Sequence, residues 1–140
     1  MRLPAGEARR RFAQARVARL ATVGATAGAT GVPHLVPIVF AVVGDAIYSA
    51  VDAKPKRTTA LRRLANVRAN PRVALLVDHY DDDWSRLWWV RADGTARILP
   101  ESAAEAARAA ALLGERYPAF ALRGPVLAVD VDRWTGWSAA

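Results

Sequence analysis

The feature that most constrains this chain is the spacing of its β-patterned segments, which come in neighbouring pairs without a helix after each one. Val126–Asp132 alternates strictly, with Leu127, Val129 and Val131 on one side and Asp130 and Asp132 on the other. Ala18-Arg19-Leu20-Ala21-Thr22-Val23 alternates as well, and the turn-rich stretch Gly24–Gly31 follows it. Leu35–Val43 is an apolar run interrupted by Pro37, which cannot donate to a ladder and so marks an edge or a bulge. Gly44-Asp45 signals a hairpin into a strand over Ala46–Val51. Val73–His79 is a further strand, and a long one is expected from about Trp84 to Leu99, with a turn or bulge at Asp93-Gly94. A doubly wound parallel sheet needs a crossover helix between strands, and the pattern does not provide them. The expectation is one domain over residues 1–140 of mostly β class: a largely antiparallel barrel of about six strands with two or three peripheral helices.

Three segments carry helical spacing. Pro4 to Arg16 places Ala8, Phe12 and Ala15 on one face. A second helix is expected from a cap at Thr58 or Thr59, through Leu61, Leu64, Ala65 and Arg68, to the stop at Asn70-Pro71. Pro100-Glu101-Ser102 opens a third with the capping box Ser102…Glu105, fading at Gly114. The tail Arg133–Ala140 carries Trp134 and Trp137.

Composition removes several chemistries. The chain has no cysteine, which excludes disulfides, thiolate metal sites and cysteine nucleophiles. His34 and His79 are its two histidines, and the consecutive Asp81, Asp82 and Asp83 do not easily converge on one cation, so no metal site is expected. No Gly-x-Ser-x-Gly elbow and no Gly-x-Gly-x-x-Gly fingerprint occurs, and no acid–base pair stands out, so no catalytic side chain is assigned. No apolar stretch is long enough to span a membrane, and the Arg-rich start Met1–Phe12 lacks the apolar region of a signal peptide; the expected compartment is the cytoplasm.

The net charge of +7 points to an anionic partner, a nucleic acid or an anionic cofactor. Lys54 and Lys56 are the only lysines among 20 basic residues, and they fall together in Lys54-Pro55-Lys56-Arg57, just before Thr58. Cations and a hydroxyl ahead of a helix N-terminus suit a phosphate, although a solvated basic loop with a threonine cap explains the same residues. The five tryptophans form the second feature. Trp88 and Trp89 are adjacent on a strand and point to opposite faces, one into the barrel and the other towards a partner subunit or planar ligand. Core and interface anchoring is the plainer role for most of them.

These residues, in this order, resemble the pyridoxamine 5′-phosphate oxidase-like, FMN-binding split β-barrel superfamily. The resemblance rests on Ala18-Arg19-Leu20-Ala21-Thr22-Val23, Pro33-His34-Leu35-Val36-Pro37, the basic loop, and Asn70-Pro71-Arg72-Val73-Ala74-Leu75-Leu76-Val77-Asp78. Asp82-Asp83-Trp84-Ser85, Gly94-Thr95-Ala96 and Arg133-Trp134-Thr135-Gly136-Trp137-Ser138 are similar to the deazaflavin-dependent branch, which uses coenzyme F420. The resemblance implies a homodimer with cofactor sites at the subunit interface. It places the cofactor phosphate on Lys54, Lys56, Arg57 and Thr58, and the ring along the backbone of Val36-Pro37 and Ser49-Ala50-Val51. Trp84 and Trp88 match positions that approach a cofactor from the second subunit, and Trp137 is the candidate for closing over a substrate. No match to the vitamin B6-binding tail of the founding oxidase is present.

The expectation is an F420-dependent oxidoreductase acting on a small molecule, with FMN as the alternative cofactor. A non-catalytic flavin- or deazaflavin-binding protein is the rival reading. Nucleic acid is not expected, because Arg9–Arg11, Arg62-Arg63 and Arg68 fall on helices away from the tryptophans.

Overall fold

In the computed structural model the backbone is described for residues 1–24, 28, 30–52, 57–119 and 122–140, and the side chains of these except 51, 52, 57–61, 122 and 123. The elements run α1 (Ala5–Gln14), β1 (Ala18–Val23), β2 (Pro33–Ile38), β3 (Ala41–Val43), β4 (Ala46–Asp52), α2 (Arg57–Ala69), β5 (Arg72–His79), β6 (Trp88–Leu99), α3 (Ala104–Arg116) and β7 (Leu122–Ser138). One seven-stranded sheet, ordered β2-β1-β5-β6-β7-β4-β3, contains all the strands, and every pairing is antiparallel.

The two edge strands, β2 and β3, are consecutive in the chain, separated only by Val39 and Phe40. Three Cα steps of about 3.8 Å hold Ile38 and Ala41 within roughly 11 Å of each other. The sheet therefore has to curl until its edges meet, which makes it a split barrel. Pro37 falls on an edge strand, as its missing N–H requires. The seam is stitched by side chains: Ser49 Oγ donates to Val39 O at 2.8 Å, and Arg116 Nη1 and Tyr117 OH donate to Phe40 O at 3.1 and 3.2 Å.

Alternation sorts the strands into an inner and an outer row. Leu20, Val36, Ile38, Leu75, Val77, Val90, Ala92, Leu127 and Val129 fill the interior with Phe12 and Phe40. The opposite row of β4 and β7 is apolar too, because α3 covers Ala50, Val126 and Ala128 with Ala106, Ala109 and Leu113. Helix α1 closes the barrel at the start of β1, where Phe12 packs edge-on against Phe40 and Trp134 at 5.0 and 5.4 Å. Helix α2 closes the other end of β1 through Val67 and a bond from Asn66 Nδ2 to Thr22 Oγ1 of 3.0 Å.

Several sequence expectations need correction. The segment from Trp84 to Arg86 is a short 3-10 turn, not strand, because Asp83 accepts from the Ser85 N–H at 3.0 Å and turns the chain. Of the turn or bulge expected at Asp93-Gly94, the bulge is the one found: β6 runs on without a turn, the register shifts there, and Asp132 of β7 is the extra residue. Gly94 is required at this point, since a Cβ would lie 2.4 Å from Asp130 O. The Ser102…Glu105 box does not form: α3 is capped at Ala103 without a side-chain bond and runs past Gly114 to Arg116. Glu105 instead accepts from Arg97 and from Tyr48. Helix α2 begins at Arg57, so Thr58 and Thr59 lie in its first turn and do not precede it. The tail Arg133–Ser138 is the end of β7.

Candidate functional site

The far end of the barrel, under α2, gathers polar groups in an otherwise apolar interior. Thr22 and His34 face each other across the β1–β2 ladder on the inward row, in phase with Val36 and Ile38. Thr22 is 2% exposed and Asn66 1%, and their hydrogen bond pins α2 over this end. Arg63 and Arg62 precede Asn66 by three and four residues, so the helix brings both onto the same side.

Thr22 Oγ1 accepts from Asn66 Nδ2, whereas neighbouring groups are left open. Among the described residues, three buried side-chain atoms lack a hydrogen-bond partner: Thr135 Oγ1 on β7, and His34 Nδ1 and Arg63 Nε here. Burial, then the charges of Arg62 and Arg63, hold the His34 pKa below the usual imidazole value. Burial alone lowers that of Arg63, which stays cationic. A buried N–H without an acceptor costs about 1–3 kcal/mol, so the corner is costly unless something completes it. A buried guanidinium whose charge reaches a histidine with an unmatched Nδ1 suits an oxyanion: phosphate, sulfate or carboxylate. The strand phase that turned Val36 inward also turned His34 inward, and this signal was available in the sequence.

The sequence-derived site residues scatter around this corner. Lys54 and Lys56 lie outside the described residues, as do the side chains of Val51, Arg57 and Thr58. Val36 is buried in the core and Pro37 is exposed on the same edge strand. Ser49 is 3% exposed, with its hydroxyl engaged at the seam. Ala50 faces the opposite way and lines a cavity of about 400 Å³ with Ala106, Ala110 and Gly124 of the α3 side. Val36 and Ser49 thus share the interior, while Ala50 belongs to the layer beneath α3. Trp84 is 69% exposed on its turn. Trp88 turns inward, stacked on His79 at 6.3 Å with the Arg11 guanidinium 5.4 Å from its ring centre.

Trp89 takes the outer row, as its adjacency to Trp88 requires, and pairs across the ladder with Trp137. Trp89 lines an apolar depression of about 560 Å³ with Leu35 and Leu76, and the exposed Trp137 is its cross-strand neighbour. Arg19 lies 4.0 Å from Asp78 at its margin, and Arg91 lies 3.0 Å from Asp93. Among the described residues no group of three or more His, Asp or Glu is arranged to hold a metal ion. Nor is any helix among them long and apolar enough to cross a membrane.

Residues 5–138 match the family described as pyridoxamine 5′-phosphate oxidase. No curated protein matches the chain significantly. Among solved structures, an FAD-binding protein from Mesorhizobium loti is similar at 23% identity, over 97% of this chain and 93% of its own, with a TM-score of 0.71. An FAD-binding protein from Mycobacterium smegmatis is 20% identical over 98% and 96%, with a TM-score of 0.64. The haem storage protein HutZ from Vibrio cholerae is 16% identical over 97% and 95%, with a TM-score of 0.69. At these identities the likeness is one of fold.

Proposed function

The chain belongs to the pyridoxamine 5′-phosphate oxidase family, and from that premise we propose that it is a flavin- or deazaflavin-binding oxidoreductase whose cofactor phosphate rests against Arg63 and His34. The observation that carries the reading is the open corner: two buried hydrogen-bonding groups, one of them cationic, with nothing in the described protein to meet them. Lys54 and Lys56 stand just before α2 in sequence, Arg57 and Thr58 open it, and all four are assigned to the same phosphate.

We assign F420 as the leading cofactor and FMN as the alternative. Support for a flavin comes from the two structurally similar FAD-binding proteins; the preference for F420 rests on the Asp82-Asp83-Trp84-Ser85 and tail motifs. When bound, such a cofactor supplies two-electron hydride transfer to a small-molecule substrate. The residues of this chain would anchor the phosphate, align the ring along β2 and β4, and exclude water. The proposal includes a homodimer, acting in the cytoplasm, joined through the outer face of Leu35, Leu76, Trp89 and Trp137, with Trp84 reaching towards the partner's cofactor. A binding protein without catalysis is the second reading, since the same fold serves a haem storage protein.

Titrating F420, FMN and FAD separately into ligand-free protein, followed by tryptophan fluorescence, tests the proposal. Saturable quenching by F420, weakened in Arg63→Met and in Lys54→Ala/Lys56→Ala, is expected. Preference for FMN or FAD moves the chain to a flavin branch. Binding of none removes the cofactor reading. Turnover of a nitroaromatic or enone test substrate by the loaded protein separates an oxidoreductase from a carrier.

A further inference from the structure

We propose that His34 takes up a proton when an oxyanion enters the α2 corner, so that the site responds to the charge of the phosphate it accepts. The inference rests on the phosphate reading above for its biological ligand, although the corner itself is defined by the fold alone.

The geometry leaves His34 little choice of partner. Its Nδ1 is buried and unmatched, Thr22 opposite accepts from Asn66, and Arg63, whose charge acts on the ring, has an unmatched Nε. The charges that act on the ring, among the described residues, are those of Arg62 and Arg63 of α2. Its cross-strand partner Thr22 and its strand neighbours Pro33 and Leu35 are not ionisable. Without an anion, burial first and then the two guanidinium charges oppose a charge on the ring and hold its pKa below the ordinary imidazole value. An entering dianion cancels that opposition. Solvent then supplies a proton to the ring, and the resulting imidazolium donates to the anion alongside Arg63. Binding and protonation are linked, so anion affinity rises as pH falls between the two imidazole pKa values, low when empty and higher when filled. A phosphate monoester, which is dianionic above its second pKa of about 6, gains more from this device than a phosphodiester, which carries one charge.

The chain has two histidines, so NMR resolves the question directly. The His34 imidazole is titrated in the ligand-free protein, in sulfate, in FMN and in chloride of matched ionic strength. His34→Gln assigns the signal, and His79, at the other end of the sheet, is the internal control. The expected result is a His34 midpoint below that of an ordinary histidine, raised in sulfate by at least about one pH unit. That corresponds to about tenfold tighter sulfate binding to the protonated form. A midpoint that neither sulfate nor FMN moves beyond the chloride control overturns the proposal. FMN that binds without moving it also overturns the proposal and leaves the cofactor reading intact. Sulfate that moves it while F420 and FMN fail to bind upholds the proposal and removes the flavin.

Discussion

Helix α3 and helix α2 flank the same sheet and treat charge in opposite ways. Beneath α3, Arg97 reaches Asp130 through Nε at 2.7 Å and Nη2 at 3.1 Å, and Glu105 through Nη1 and Nη2 at 3.2 and 3.1 Å. Tyr48 OH donates to Glu105 at 2.7 Å. Both acidic partners and the hydroxyl are matched, and the Arg97 bonds, then the Tyr48 bond, lower the Glu105 pKa to about 2. Beneath α2, Asn66 Nδ2 donates to Thr22 Oγ1, while Arg63 Nε and His34 Nδ1 are left open. Folded chains match almost all of their buried polar groups. The α3 network holds a helix to a sheet and is complete without help. The α2 corner is unfinished in the protein by itself, and this distinguishes a site from a clamp.

Substitutions can break or sharpen that contrast. The largest effect is expected from Gly94→Ala, which drives a Cβ against the Asp130 carbonyl and displaces the strand that carries the α3 clamp. Urea unfolding should show a loss on the order of 3 kcal/mol. A loss below about 1 kcal/mol would mean that the bulge opposite Gly94 absorbs the side chain. Next comes Arg63→Met, which removes the open cation. FMN affinity should fall roughly thirtyfold, as for a hydrogen bond to a charge worth about 2 kcal/mol, while Tm holds or rises because a desolvated charge is gone. A drop in Tm with unchanged binding would make α2 the clamp and reverse the comparison.

Arg97→Met should do the opposite: a stability loss of about 1 kcal/mol, kept small because solvent screens these partly exposed pairs, with FMN affinity unchanged. Weakened cofactor binding in this variant would tie the two regions together. The smallest effect concerns acid. A carboxylate whose pKa is lower in the folded state contributes stability above the unfolded value of 4.5 and loses it as pH falls towards about 2. Denaturant midpoints between pH 5 and 2 should therefore decline less steeply in Arg97→Met than in the parent. Parallel slopes would show that the Arg97 bonds to Glu105 do not persist in solution.

Strand content was readable in the sequence because alternation is local. Val126–Asp132 announced an inner row of Leu127, Val129 and Val131, and the structure places Leu127 and Val129 in the core with Val131 against it. Pro37 announced an edge, and the paired spacing of strands announced an antiparallel sheet. What local pattern could not show was decided by partners distant in the chain. Ser102 and Glu105 read as a capping box, yet Arg97 and Tyr48 claim the carboxylate. The tail Arg133–Ser138 was not assigned to a strand because its ladder partners, Trp88 to Asp93, lie forty to fifty positions earlier. The site followed the same division. The basic loop drew attention through composition, whereas the open corner joins β2 to α2 and becomes visible only when Thr22, His34 and Asn66 are seen together. Nothing described in the structure bears on Lys54 or Lys56.

The two-residue crossover at Val39 and Phe40 has a consequence for the chain in a crowded solution. An open antiparallel sheet ends in two rows of unpaired backbone groups that can recruit a strand from another molecule. Here one border strand carries Pro33 and Pro37, which offer no N–H, and the other is only three residues long. Ser49, Arg116 and Tyr117 occupy the carbonyls of the link between them. The closure that shapes the barrel is thus also its guard against fibril-like self-association. A circular permutant opened between Val39 and Phe40 would keep every strand and lose that guard.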